Sequence, residues 1–151
     1  MIRLLVLIFL VLSNTGMTTA PRKKVYIPIV YQSRMSVSVE QQVLDLINAR
    51  RINCTPLRFN TKLQKAALDR STDNAQNNRL VHTNLGIIEP VYGYHWNAIA
   101  ENIAFGQQTA QEVVNAWMNS PAHKANILNC TYQDTGIAKV GNYWTQIFGK
   151  Q

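Results

Sequence analysis

The sequence is short of the residues that announce a chemistry. It contains no H-E-x-x-H, no G-x-S-x-G, no P-loop, no C-x-x-C and no G-x-G-x-x-G. Those gaps exclude the zinc-protease helix, the nucleophile elbow, the phosphate-cradling loop, the thioredoxin-type pair and the dinucleotide fingerprint. Only three histidines are present, His82, His95 and His123, and only two cysteines, Cys54 and Cys130. Internal repeats and low-complexity stretches are absent. Acidic residues are scarce: eight Asp and Glu against fifteen Lys and Arg give a net charge of +7. The basic residues are scattered, apart from Arg22-Lys23-Lys24 and Arg50-Arg51, and no nucleic-acid motif accompanies them. The charge is therefore read as solubility and a weak attraction to anionic surfaces, with no nucleic acid as partner.

The 151 residues suit one domain with a real hydrophobic core. Residues 1–20 are set apart from it. Arg3 precedes the apolar run Leu4–Leu12, and small and polar residues follow to Ala20. This is the pattern of a secretory signal peptide, and the run is too short to span a bilayer. Cleavage is expected after Ala20 or after Gly16. No later stretch resembles a transmembrane helix, so a secreted, extracellular mature protein is expected, without a transmembrane segment and monomeric. In an oxidising compartment Cys54 and Cys130 read as one disulfide, the alternative being two buried thiols. Each cysteine also sits inside an N-x-T tripeptide, at Asn53 and Asn129, a poor context for glycosylation.

Residues 21–36 carry no clear period and read as an arm, which leaves 37–151 for the domain. Ser38 opens a helical pattern through Val39, Val43, Leu46 and Ile47, with Gln41 placed for a capping box, and the helix is expected to end near Arg51. Asn60 caps a second helix from Thr61 to about Arg79. Its inner side, with Leu63, Ala67, Arg70 or Ser71, and Asn74 or Ala75, is poor in large apolar residues, so it packs closely or borders a polar cleft. Residues 84–98 read as a loop, and Ala100–Gly106 as extended or irregular. Thr109 caps a third helix through Val113, Ala116 and Trp117, and Ser120-Pro121 starts a short fourth that carries His123 and ends near Leu128. TGIAKV and YWTQIF, joined by Gly141-Asn142, predict a hairpin. Helices followed by strands argue an α+β fold with a small antiparallel sheet against helices.

Glu101 is the one carboxylate in AENIAFG, and a buried ionised carboxylate is costly unless paired, hydrogen-bonded or metal-bound. With His82 and His123 it offers ligands of the kind zinc accepts, although the three lie on separate elements. Ser120 and His123, three apart, suggest a nucleophile and a base, but Ser120 is already placed as an N-cap. Trp96, Trp117 and Trp144 read as core rather than pocket lining. Asn102 and Gln146 read as amides serving buried backbone.

The blocks LVHTN, AENIAFG, VVNAWMNSPAHKANILN and TGIAKV-GN-YWTQIFG, in this order, resemble the CAP superfamily (SCP domain), in its compact bacterial-type branch, from about Val37 to Gly149. The resemblance implies an α-β-α sandwich with a small antiparallel sheet between helical layers, and a central cleft. Many members line that cleft with two histidines and two acidic residues able to hold a divalent metal, often zinc. His82 matches the first histidine. Glu101 matches the glutamate of the family's G-E-N-I block, with Ala100 in place of the usual glycine. Ser120 stands where eukaryotic members carry an acidic residue, and Tyr143 where they carry the second histidine. His123, typical of the bacterial-type block, is then a third candidate ligand beside His82 and Glu101. The resemblance implies an extracellular binding or interaction module with a His/Glu-lined cleft. Its expected partners are a lipid or sterol, a cell-wall component or a host component. The competing expectation is a zinc-dependent hydrolase or protease working through an activated water.

Overall fold

The computed structural model describes residues 37–151. The signal peptide expected at 1–20 and the arm expected at 21–36 lie outside the described residues. The domain contains α1 (Val39–Asn48), β1 (Arg58–Phe59), α2 (Thr61–Gln76), α3 (Ile88–Tyr92), β2 (Ala98–Phe105), α4 (Ala110–Asn119), α5 (Pro121–Leu128), β3 (Asp134–Val140) and β4 (Tyr143–Lys150). The four strands form one sheet in the order β1-β3-β4-β2. β2, β4 and β3 are antiparallel neighbours, and β1 pairs parallel with β3.

Side chains alternate across this sheet, so its two faces carry different residues. On one face Ala100, Ala104, Ile137, Trp144 and Phe148 pack against Val43 and Ile47 of α1, Val113 and Trp117 of α4, and Ile127 of α5. On the other face Ala138 and Ile147 pack against Leu63, Ala66 and Ala67 of α2 and Ile88 of α3. This is the α-β-α sandwich. The small residues of α2 are what let it sit close. A Cβ on Gly136 would stand 2.1 Å from the Leu63 backbone, so only glycine admits α2 at that point of β3.

The expected caps form, with instructive departures. Ser38 Oγ accepts from the Gln41 amide at 3.2 Å, but the Gln41 side chain turns to Asp45 instead of completing the box. α1 then ends at Asn48, three residues before Arg51, because Arg51 leaves the helix to reach across to α5 and the segment after it. α2 stops at Gln76 rather than Arg79. Asn77 folds its side chain back onto Asp73, and Asn78 turns left-handed at φ 48°. Thr109 caps α4 as expected, through the Glu112 amide at 3.2 Å. Ser120 holds the cap position of α5 without a side-chain hydrogen bond. The loop expected at 84–98 is partly helical: a 3₁₀ turn at Leu85–Ile87 runs into α3, which Gly93 ends at φ 68°. Ala100–Gly106 belongs almost wholly to a regular strand, β2. The hairpin is as expected, with Val140 paired to Tyr143 and Gly141 at φ 55°. β1 was hidden in two residues after a proline.

Tyr94 anchors the second core. It is fully buried beneath Gly149, and its hydroxyl donates to Asp134 Oδ2 at 2.9 Å, while Arg58 donates to Oδ1 at 2.9 Å. Burial pushes the Tyr94 hydroxyl well above the ordinary phenol range, and the Asp134 hydrogen bond and charge add to it. The fold favours the neutral phenol. Its contribution is therefore full below the unfolded tyrosine value near ~10 and is lost as pH rises above it. Urea denaturation from pH 7 to 11 is expected to show stability falling above about pH 10. Tyr94→Phe should flatten that alkaline limb at a cost of about 1–2 kcal/mol at neutral pH. An unchanged limb in the variant would assign it to other groups.

Candidate functional site

β2 is an edge strand, and an edge strand has a free row of backbone groups to satisfy. Two side chains cap its carbonyls: Trp117 Nε1 donates to the Ile103 carbonyl at 3.3 Å and Asn126 Nδ2 to that of Glu101 at 3.4 Å. The candidate site is built around this edge. Glu101 faces the α2 layer and its neighbour Asn102 faces the α4–α5 layer, so consecutive residues reach both sides of the sheet.

On the α2 side, Glu101 is 6% exposed and its carboxylate is fully engaged. Oε1 accepts from the Thr83 amide at 2.8 Å and meets His82 Nδ1 at 2.8 Å. Oε2 accepts the Thr83 hydroxyl, which in turn accepts from Arg70 Nε at 3.0 Å. This answers the cost of burying the charge: each oxygen is hydrogen-bonded. It also fixes the imidazole. A carboxylate oxygen accepts, so Nδ1 of His82 is the donor of this contact, which leaves Nε2 for another partner on a side chain that is 60% exposed. The loop is clamped again one residue earlier. Buried Asn74 accepts from the Val81 amide at 3.1 Å and donates to its carbonyl at 3.2 Å.

On the other side, Asn102 donates to the backbone carbonyl of His123 at 3.1 Å and accepts from Asn126 Nδ2 at 2.9 Å. The first turn of α5 is thereby tied to β2. The His123 ring is half-buried, and burial followed by the neighbouring His82 charge holds its pKa below the ordinary imidazole value. His82 and His123 are thus tied to neighbouring residues of β2 from opposite layers, His82 through Glu101 and His123 through its backbone and Asn102.

The remaining candidates fall elsewhere. His95 meets Glu89 Oε1 at 2.7 Å on the surface. No hydrogen bond joins Ser120 to His123 among the described residues. Trp117 and Trp144 are fully buried in the first core, and Trp96 packs at the rim of the second. Gln146 donates to Thr135 Oγ1 at 3.2 Å, while its buried Oε1 has no partner. Tyr143 stacks on Phe105 at the hairpin end of the sheet, with ring centroids 4.6 Å apart. Among the described residues, no three His, Cys, Asp or Glu side chains lie together as a metal-holding group. Hydrogen bonds reach both Glu101 oxygens, and the one to His82 Nδ1 lets the carboxylate orient that imidazole from behind.

The sequence matches the model of the cysteine-rich secretory protein family, CAP, over residues 44–148. The chain belongs to the CAP family. This CAP domain is 37% identical over 118 residues to the protein YkwD of Bacillus subtilis, covering 72% of this chain and 46% of that one. An extracellular protein with an SCP domain from Bacillus anthracis has the same fold, with a TM-score of 0.70 and 26% identity over 75% of this chain and 40% of that one. An outer surface protein of Borrelia burgdorferi superposes with a TM-score of 0.65 over 76% of this chain and 96% of that one; at 24% identity this shows the fold alone. The CAP domain spans between 36% and 59% of the length of the curated relatives it matches. Among its described residues no helix is long and apolar enough to cross a membrane.

Sequence reasoning missed Thr83 and Asn126, and read Arg70 only as one of two candidates for the inner side of α2 beside a polar cleft. Thr83 follows His82 directly, and a hydroxyl beside a candidate histidine was a usable signal. Asn126 gave none, because its role depends on how two layers meet the sheet edge.

Proposed function

We propose that this CAP domain is an exported binding or interaction module whose cleft presents His82 and His123 to a ligand outside the cell. One observation carries the reading. A buried carboxylate engages Nδ1 of an exposed imidazole, which leaves Nε2 for an outside partner. The extracellular description of the similar Bacillus anthracis protein supports the location. A divalent metal such as zinc would engage His82 Nε2 and His123, with Glu101 orienting His82 from behind. The metal would supply a Lewis-acid point at which a ligand oxygen binds.

Calorimetric titration of the metal-free protein with Zn²⁺ tests this. Site-like binding is expected, and His82→Ala and His123→Ala should each abolish it. No heat from the wild type, or normal binding by either variant, would end the metal part of the reading.

A metal-assisted hydrolase is the second reading. The Glu101–His82 pair favours it, since a carboxylate-oriented imidazole with a free Nε2 is the form a general base takes. Release of a chromogenic product from ester or peptide substrates, lost in His82→Ala, would raise it above the first.

A further inference from the structure

The disulfide end of the domain lies away from this site, at the far end of α5 from His123. Cys54 is bonded to Cys130 across 76 residues of chain. Cys130 is exposed and Cys54 half-buried. Both line a cavity of about 350 Å³, together with Arg50, Arg51, Ile52 and Leu128. No acidic residue lines it, and neither arginine is in an ion pair among the described residues. Arg51 is committed to backbone carbonyls, which offset part of its charge. Arg50 is exposed and is the free cation of the pair. Ile52, 87% exposed, and Leu128, 38% exposed, leave the mouth open.

We propose that the Cys54–Cys130 disulfide is a reversible modification site, opened by small anionic thiols drawn in by Arg50. The thiolate attacks Sγ of the exposed Cys130. The S–S electron pair leaves on Sγ of Cys54, which takes up the proton the incoming thiol released. The products are a mixed disulfide on Cys130 and a thiol on Cys54; one S–S bond forms as one breaks, with no external oxidant. Cation-rich surroundings favour both the incoming and the leaving thiolate. The domain tolerates the opening because a second staple joins the same two segments. Arg51 binds the Thr55 carbonyl on one side and those of Ile127, Asn129 and Tyr132 on the other, without any contribution from the sulfurs.

The test uses the oxidised full chain under native conditions, with glutathione as the anionic thiol and cysteamine as the cationic one. A single glutathione adduct mapping to Cys130 is expected by mass spectrometry. Corrected for thiolate fraction, glutathione should react at least about fivefold faster than cysteamine, and Arg50→Glu should erase or reverse that ratio. Near-UV circular dichroism should stay native after reduction, and oxidised glutathione should restore the disulfide. Reaction only after denaturation, an unchanged ratio in Arg50→Glu, or unfolding on reduction would each overturn the proposal.

Discussion

Replacing Arg51 by leucine is expected to cost the domain about 3–5 kcal/mol. Arg51 is 2% exposed and has no carboxylate partner among the described residues; burial pulls its guanidinium below the ordinary value. Its four terminal contacts, at 2.5–3.2 Å, are carbonyls of Ile127, Asn129, Thr55 and Tyr132. Two of these, Ile127 and Asn129, lie at the C-terminal end of α5, where the last carbonyls have no helical donor. Leucine fills part of the volume but leaves the Ile127 and Tyr132 carbonyls buried without partners, at roughly 1–3 kcal/mol each. Arg51→Lys separates charge from geometry. One ammonium cannot reach carbonyls on both flanks, so lysine should recover less than half of the loss. The urea midpoint should fall for both variants with an unchanged slope. A loss under about 1 kcal/mol for Arg51→Leu would mean that water replaces the guanidinium at little cost.

The disulfide works on the same junction by another route. It shortens the unfolded chain's freedom, for a contribution of about 4–5 kcal/mol by the loop-closure relation. Arg51 instead satisfies polar groups in the folded state. The two effects act on different states, so losing one leaves the other intact.

Arg51 also marks where sequence reading reaches its limit. As the residue after an amphipathic helix it looked like a helix terminus. Its partners are 76 to 81 residues away, apart from Thr55, and no periodicity encodes them. Local signals fared better. Thr109, Asn60 and Gly141 each specify their own cap or turn, and each forms where expected. The sandwich itself was read from family blocks, and the register explains them: AENIAF pairs with YWTQIF residue for residue, so the two motifs are one piece of sheet. β1 and α3 escaped because a two-residue parallel strand and a five-residue helix containing Pro90 carry too few residues for a period to show. For the site, Glu101 and both histidines were legible as residue types. Their division of labour was not, since a sequence cannot say that Thr83 takes both carboxylate oxygens.

That division makes Glu101 the second expected large effect. Glu101→Ala should destabilise the domain by about 2–4 kcal/mol, because the buried Thr83 amide and hydroxyl lose their acceptor and the His82 ring loses its anchor. The loss should be local before it is global. Val81 stays clamped by Asn74, so hydrogen exchange should accelerate at His82 and Thr83 while the amides of β4 keep their protection. Glu101→Gln distinguishes charge from shape. Its amide oxygen can still accept from the Thr83 backbone, so most of the stability should return. Its NH₂ group then lies against the Thr83 hydroxyl, and the neutral amide holds the His82 ring less firmly. The Zn²⁺ affinity read by calorimetry should therefore fall in Glu101→Gln relative to the wild type. The carboxylate would then be acting on the histidine as well as holding the loop. An unmoved affinity, with stability restored, would reduce Glu101 to a structural clamp.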